Sequence, residues 1–215
     1  MERLGDLRCW VRDDPPAEMT YDLHTRRLGF RPWTEADLDL AIGLWGDENV
    51  THFIGGPFST DQIQERLARE MANLHTYRVQ YWPIFLLDRG EFVGCCGLRS
   101  YRDERSVYEI GFHLRRTYWG QGLAVEAARA VMGYAFDRLE ATVLSAGHHP
   151  ANVASRRVLE KLGFQYTHDE LYPPTGLQHP TYRLTREAFA KATKAGTCDF
   201  LESHNYENRI FANFH

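Results

Sequence analysis

Trp119-Gly120-Gln121-Gly122-Leu123-Ala124 leads directly into the Ala-rich run 125–139. Glycines here let the main chain turn sharply and bring its N–H groups close to a ligand. The run that follows predicts a long buried helix over about 121–139, apolar nearly all round. The first turn of such a helix adds unpaired N–H donors and a positive dipole end, so an anion can sit there. A pyrophosphate is a natural occupant; a tight strand-to-helix turn without a ligand is the plainer alternative. A dinucleotide fingerprint fails, because Val125 stands where a third glycine belongs and the strand predicted at Thr142–Ala146 carries no acid. A P-loop fails too, since no Gly-Lys-Ser or Gly-Lys-Thr exists in the chain.

Working outward, Val107–Leu114 reads as the preceding strand, with Tyr108, Ile110, Phe112 and Leu114 on one face and Glu109 and His113 on the other. Beyond the Ala-rich helix, Asn152–Leu162 reads as a further helix. Asn152, Ser155 and Leu159 share one of its faces, Ala154, Val158 and Leu162 form an adjacent core stripe, and Gly163 suits its C-cap. Asn152 is equally fit to be only an N-cap. Toward the N-terminus, Leu28–Trp33 predicts a strand, and Thr34 caps a helix with Leu38, Leu40, Ala41, Leu44 and Trp45 inward. After a Gly55-Gly56-Pro57 break a second helix runs from Ser59 to about Tyr77. Tyr81–Leu87 and Phe92–Leu98 form a hairpin, Phe164–Thr167 and Thr181–Leu184 are further strands, and Asp169–Gln178 is read as a long loop. The order gives an α/β domain with a mixed, mostly antiparallel central sheet flanked by helices.

The 215 residues carry 25 Lys+Arg and 29 Asp+Glu, a net charge of −4, with 43% hydrophobic and 25% charged residues. These are values of an ordinary globular domain and oppose a nucleic-acid footprint. No apolar run is long enough for a membrane span, and residues 1–25, read as an N-terminal arm, lack the apolar centre of a signal peptide. Cys9, Cys95, Cys96 and Cys198 show neither zinc nor disulfide spacing, which fits reduced thiols in the cytoplasm, and no metal is expected. Residues 190–215, with Phe200, Tyr206, Phe211 and Phe214, leave open docking on the domain, a homodimer contact or disorder.

Taken together, these motifs resemble the GNAT family of acyl-CoA-dependent N-acyltransferases, most closely its Rim-type ribosomal-protein N-acetyltransferase branch. The resemblance covers a domain of residues 26–189. Arg27-Leu28-Gly29-Phe30-Arg31-Pro32-Trp33 looks like the opening strand, and Phe53-Ile54-Gly55-Gly56 like the break after the first helix. Trp119 to Ala124 matches the pyrophosphate loop, with Trp119-Gly120 in the form usual for the Rim-type branch. Asn152-x-x-Ser155 and Lys161-Leu162-Gly163-Phe164 match the later motif. The resemblance implies a cytoplasmic enzyme that transfers an acetyl group from acetyl-CoA to a primary amine by direct attack on the thioester. The amine would belong to a small molecule or a protein N-terminus; a non-catalytic acyl-CoA-binding or regulatory module on the same fold is the alternative.

That chemistry needs a base, because an alkyl ammonium has a pKa near ~10.4 and an α-amine near ~8. Glu109 is the first candidate and His113 the second, with Gly111 between them marking an irregularity in the strand. The main chain of Phe112, His113 and Leu114 is expected to meet the acyl arm. Residues Trp119, Gly120, Gln121, Gly122, Leu123 and Ala124 are expected at the pyrophosphate, and Asn152 and Ser155 at the cofactor. Ser155 stands where the branch places a proposed proton donor to the thiolate, while Leu159 occupies the position of a tyrosine found in many relatives. The acceptor pocket would fall to His52–Phe58 and His168–Gln178 with His148 and His149, and Glu170 is a candidate to bind a cationic acceptor.

Overall fold

The computed structural model describes residues 20–102 and 104–194. Cys9, Cys198 and the aromatic residues after 199 lie outside them. The strands are β1 (Leu23–His24), β2 (Leu28–Phe30), β3 (Tyr81–Leu86), β4 (Phe92–Ser100), β5 (Val107–Leu114), β6 (Val143–Gly147), β7 (Gln165–Tyr172) and β8 (Leu177–Thr185). The helices are α1 (Leu38–Trp45), α2 (Glu48–Thr51), α3 (Thr60–Tyr77), α4 (Leu123–Asp137), α5 (Val153–Lys161) and α6 (Arg186–Lys194). One eight-stranded sheet has the order β1-β2-β3-β4-β5-β6-β8-β7. Every neighbouring pair is antiparallel except β5 and β6, which run parallel. This is the mixed sheet that the sequence predicts.

Alternation along the central strands sorts apolar side chains onto two faces. On β3, Trp82, Ile84 and Leu86 join the larger cluster with Ile110, Met132, Phe136, Leu144 and Leu159, beneath α4 and α5. Tyr81 and Phe85 face the other way, into a smaller cluster with Trp33, Trp45, Ile63 and Leu67 from the side of α1 and α3. Adjacent Cys95 and Cys96 divide between these clusters as free, buried thiols. Helix starts follow local chemistry. Asp37 accepts hydrogen bonds from the Thr34 N–H (2.8 Å) and from Arg31 (2.6 and 2.7 Å) ahead of α1. Ser59 and Gln62 cap α3 reciprocally.

Several expectations need correction. The stretch 169–178 is not a loop: β7 and β8 pair from Gln165↔Arg183 to Tyr172↔Leu177 around a turn at 173–176. Leu23 and His24, read as part of the arm, pair with Phe30 and Gly29. Helix α4 begins at Leu123, because Gly122 at its N-cap has φ +75°. Helix α6 continues past residue 189. On α5 the inward side is Leu159 and Leu162, whereas Ala154 is exposed.

Candidate active site

Strands β5 and β6 pair only through Val107–Glu109 and Val143–Ser145. Beyond that point they part, while β5 stays paired with β4 as far as Leu114. A cleft of about 590 Å³ opens in the gap. Its walls include Phe112, His113 and Leu114 on β5, Ser145 to Gly147 at the end of β6 with His148 and His149 just after it, and Asn152, Ser155 and Leu159 at and within α5. Trp119, Gly120, Gly122, Leu123 and Ala124 line the same cleft at the α4 end. Main-chain groups of β5 that a continuous sheet would bond to β6 are thereby turned toward this space.

The loop before α4 is tied down on three sides. Trp119 is half exposed, and its indole N–H donates to the Leu114 carbonyl (2.7 Å), fixing the loop to the end of β5. Gly120 and Gly122 have φ +74° and +75°, a region that favours glycine. Arg27 donates to the Gln121 carbonyl (3.1 Å) and to Glu126 (2.6 Å), and Glu126 also accepts from Thr25 (2.6 Å). Burial pushes the Glu126 carboxyl up, but the bonds from Thr25 and Arg27 outweigh it and hold it below its ordinary value. The side chain of Gln121 departs from expectation: it donates back to the Thr117 carbonyl (2.9 Å), and Gln121 does not line the cleft.

Glu109, Gly111 and His113 lie on the face of β5 toward α1 and α3, as the alternation predicts. Gly111 is no irregularity; it pairs in register with Gly97. Its missing side chain has another purpose, for a Cβ there would come within 2.2 Å of the Tyr81 hydroxyl. Through this opening Tyr81 donates to Glu109 Oε1 (3.3 Å). Burial raises the Glu109 carboxyl above its ordinary value, against the pull of Arg99 and the Tyr81 hydrogen bond. Arg99 stacks over the Tyr81 ring (4.4 Å) and bonds Glu70 (2.5 Å), a fully buried carboxylate that also accepts from the Tyr81 N–H (2.8 Å). Sequence reasoning missed Tyr81, Arg99 and Glu70, whose separations of 28, 10 and 39 residues from Glu109 carry no local pattern.

His113 does not suit the role of base. Its Nδ1 accepts from the Trp45 indole (3.3 Å) and lies 3.6 Å from the Cys95 sulfur. Burial, with Arg66 and Arg99 nearby, holds its pKa well below the usual histidine value, which makes it a weaker base than an ordinary imidazole. Asn152 is the N-cap of α5, its Oδ1 accepting from the Ser155 N–H (3.0 Å). Ser155 itself lines the cleft.

At the far end of the cleft stand Phe53, Tyr101, His149, Glu170, Tyr172 and His179. Tyr172 stacks on His179 (4.6 Å), His149 meets both His179 (5.4 Å) and Phe53 (5.0 Å), and Gly55 abuts Pro174 of the β7–β8 turn. Glu170 is already engaged by Arg102 and by the Tyr101 hydroxyl (2.8 Å), which removes it as a ready partner for a cationic acceptor. Among the described residues no helix is long and apolar enough to cross a membrane.

Comparison with known proteins agrees with this geometry. The family described as "Acetyltransferase (GNAT) domain" matches residues 27–165. The uncharacterized N-acetyltransferase p20 of Bacillus licheniformis is 32% identical over 145 residues, which cover 66% of this chain and 82% of that protein. RimL, a ribosomal α-N-protein acetyltransferase, superimposes with a TM-score of 0.65 at 16% identity, over 75% of this chain and 91% of its own. An aminoglycoside acetyltransferase solved with coenzyme A gives 0.64 at 22% identity, over 77% of this chain and 99% of its own. At those identities both structures attest the fold. The parted strands, the glycine loop at the start of α4 and the matched family domain make the chain a member of the GNAT acetyltransferase family.

Proposed function

We propose that the protein carries an acetyl group from acetyl-CoA to a primary amine by direct attack on the thioester, with Glu109 as general base. The observation that carries this reading is the place of Glu109: a carboxylate in a buried setting, held by Tyr81 at the point where β5 and β6 part. Acetyl-CoA supplies an acyl group already activated as a thioester. The residues fit it, since the strand gap offers unpaired main chain for an amide-bearing arm and the stretch 120–124 offers N–H groups at a helix start for phosphates. The solved aminoglycoside acetyltransferase with coenzyme A on the same fold supports the choice of cosubstrate.

The amine must shed a proton before it attacks, and Glu109, lifted by burial, is a better acceptor than an exposed glutamate. Tyr81 keeps the carboxylate aimed at the cleft. N–H groups of Phe112 and Leu114, which alternate away from β4, provide donors for negative charge on the acyl oxygen. Ser155 is assigned as a contact to the cofactor, because a lone hydroxyl is a weak acid and Asn152 is committed to capping. Trp119, Gly120, Gly122, Leu123 and Ala124 are assigned to the pyrophosphate end.

Replacing Glu109 by Gln tests the assignment. Calorimetry with acetyl-CoA should show unchanged binding, while amine-dependent thiol release falls about a hundredfold or more. Unchanged release would remove Glu109 from the mechanism.

A further inference from the structure

The cleft is lined by a guanidinium that, among the described residues, has no carboxylate in ion-pair reach. The guanidinium carbon of Arg66, on α3, lies over the fully buried Trp45 ring, 4.3 Å from its centre, and 5.9 Å from that of Phe58. Stacking occupies the face of a guanidinium and leaves its in-plane N–H edge for a planar anion. Among the described residues, no hydrogen-bond partner meets the buried Nε of Arg66 or that of Arg99, and both side chains line the cleft. Neighbouring carboxylates are already committed. Glu70 gives one oxygen to Arg99 and the other to the Tyr81 N–H, Glu109 accepts from Tyr81, and Glu170 is held by Arg102 and Tyr101.

We propose that the acceptor is a small amine that also bears a carboxylate, and that Arg66 binds this carboxylate while Glu109 takes the ammonium proton. The inference rests on the acetyl-transfer reading above and narrows its substrate. A zwitterion matches the site in both signs, cation to Glu109 and anion to Arg66. A polycationic amine would instead place positive charge beside two guanidiniums. Size points the same way, because the cleft of about 590 Å³ must also admit the acyl arm.

The test measures thiol release from acetyl-CoA with matched pairs: glycine and glycinamide, β-alanine and β-alaninamide, 4-aminobutyrate and 4-aminobutyramide. At least one acid should exceed its amide in kcat/KM by about tenfold or more, the range of a hydrogen-bonded charge pair. In Arg66→Met that advantage should vanish; in Arg66→Lys part of it should survive. Calorimetry with acetyl-CoA should give the parent's affinity for both variants, showing that they fold. Amides used as well as acids throughout the series, or an acid advantage that persists in Arg66→Met, would overturn the proposal while leaving acetyl transfer in place. Absence of thiol release with all six compounds would overturn this inference, and absence with polyamines and peptide N-termini as well would overturn the acetyl-transfer reading.

Discussion

Glu109 and Tyr81 form the unit on which the residue-level predictions turn. Burial lifts the Glu109 carboxyl above its ordinary value, so the acid limb of kcat/KM should lie above the usual carboxylate range. Tyr81→Phe removes a hydrogen bond that favours the ionised form, and this limb should then move to higher pH. The same shift has a consequence for stability. A carboxyl raised in the folded state contributes stability that is complete below its unfolded value and is lost as pH rises through the folded value. Glu109→Gln should therefore show its largest gain in Tm over the parent at pH 8 and little at pH 4, measured by thermal melts at both. Gly111→Ala should reduce thiol release while sparing acetyl-CoA binding, because the added methyl must displace the Tyr81 hydroxyl from Glu109.

At the level of elements, the strap from Arg27 to Glu126 and Gln121 holds the glycine loop against the edge of the sheet. Glu126 is depressed in the folded state, so its contribution is present above the ordinary carboxylate range and fades as pH falls through the lower folded value. Glu126→Gln should flatten this acid-side loss of stability and raise KM for acetyl-CoA more than it lowers kcat. Gly122→Ala forces a side chain into a left-handed conformation and should cost about 1 kcal/mol in a denaturation series, with a higher KM for acetyl-CoA. The loop, β5, α4 and α5 were legible in the sequence because glycine placement and apolar spacing are local signals. The tip of the β7–β8 hairpin was not, since 169–178 carries the composition of a loop, while Asp169 to Tyr172 pair with Leu177 to Pro180 around a turn that holds Pro173 and Pro174. Arg66, Tyr81 and Arg99 were hidden for a different reason. Only the packing of α3 against β3 and β4 turns them toward one cleft, and no spacing in the chain encodes that convergence.

For the molecule as a whole, two unequal cores on opposite faces of one sheet leave the chemistry at the seam where that sheet splits. The cleft is bordered by β5, β6, α4 and α5, so a ligand there adds a tie between elements already joined by the short β5–β6 pairing and the larger core. At a hundredfold excess over its Kd, acetyl-CoA should stabilise the fold by about 2.7 kcal/mol, raising Tm by roughly 5–10 °C. Hydrogen exchange should slow at amides 110, 112 and 114, which alternate away from β4, in the same complex. The split also bears on solubility. Unbonded strand edges usually invite neighbouring chains to add a rung and nucleate aggregates. Here the open edges are internal, with further strands on either side, and an intruding polypeptide would have to wedge the sheet wider to reach them. The protein can thus keep free peptide groups for a slender guest without offering them to its own copies.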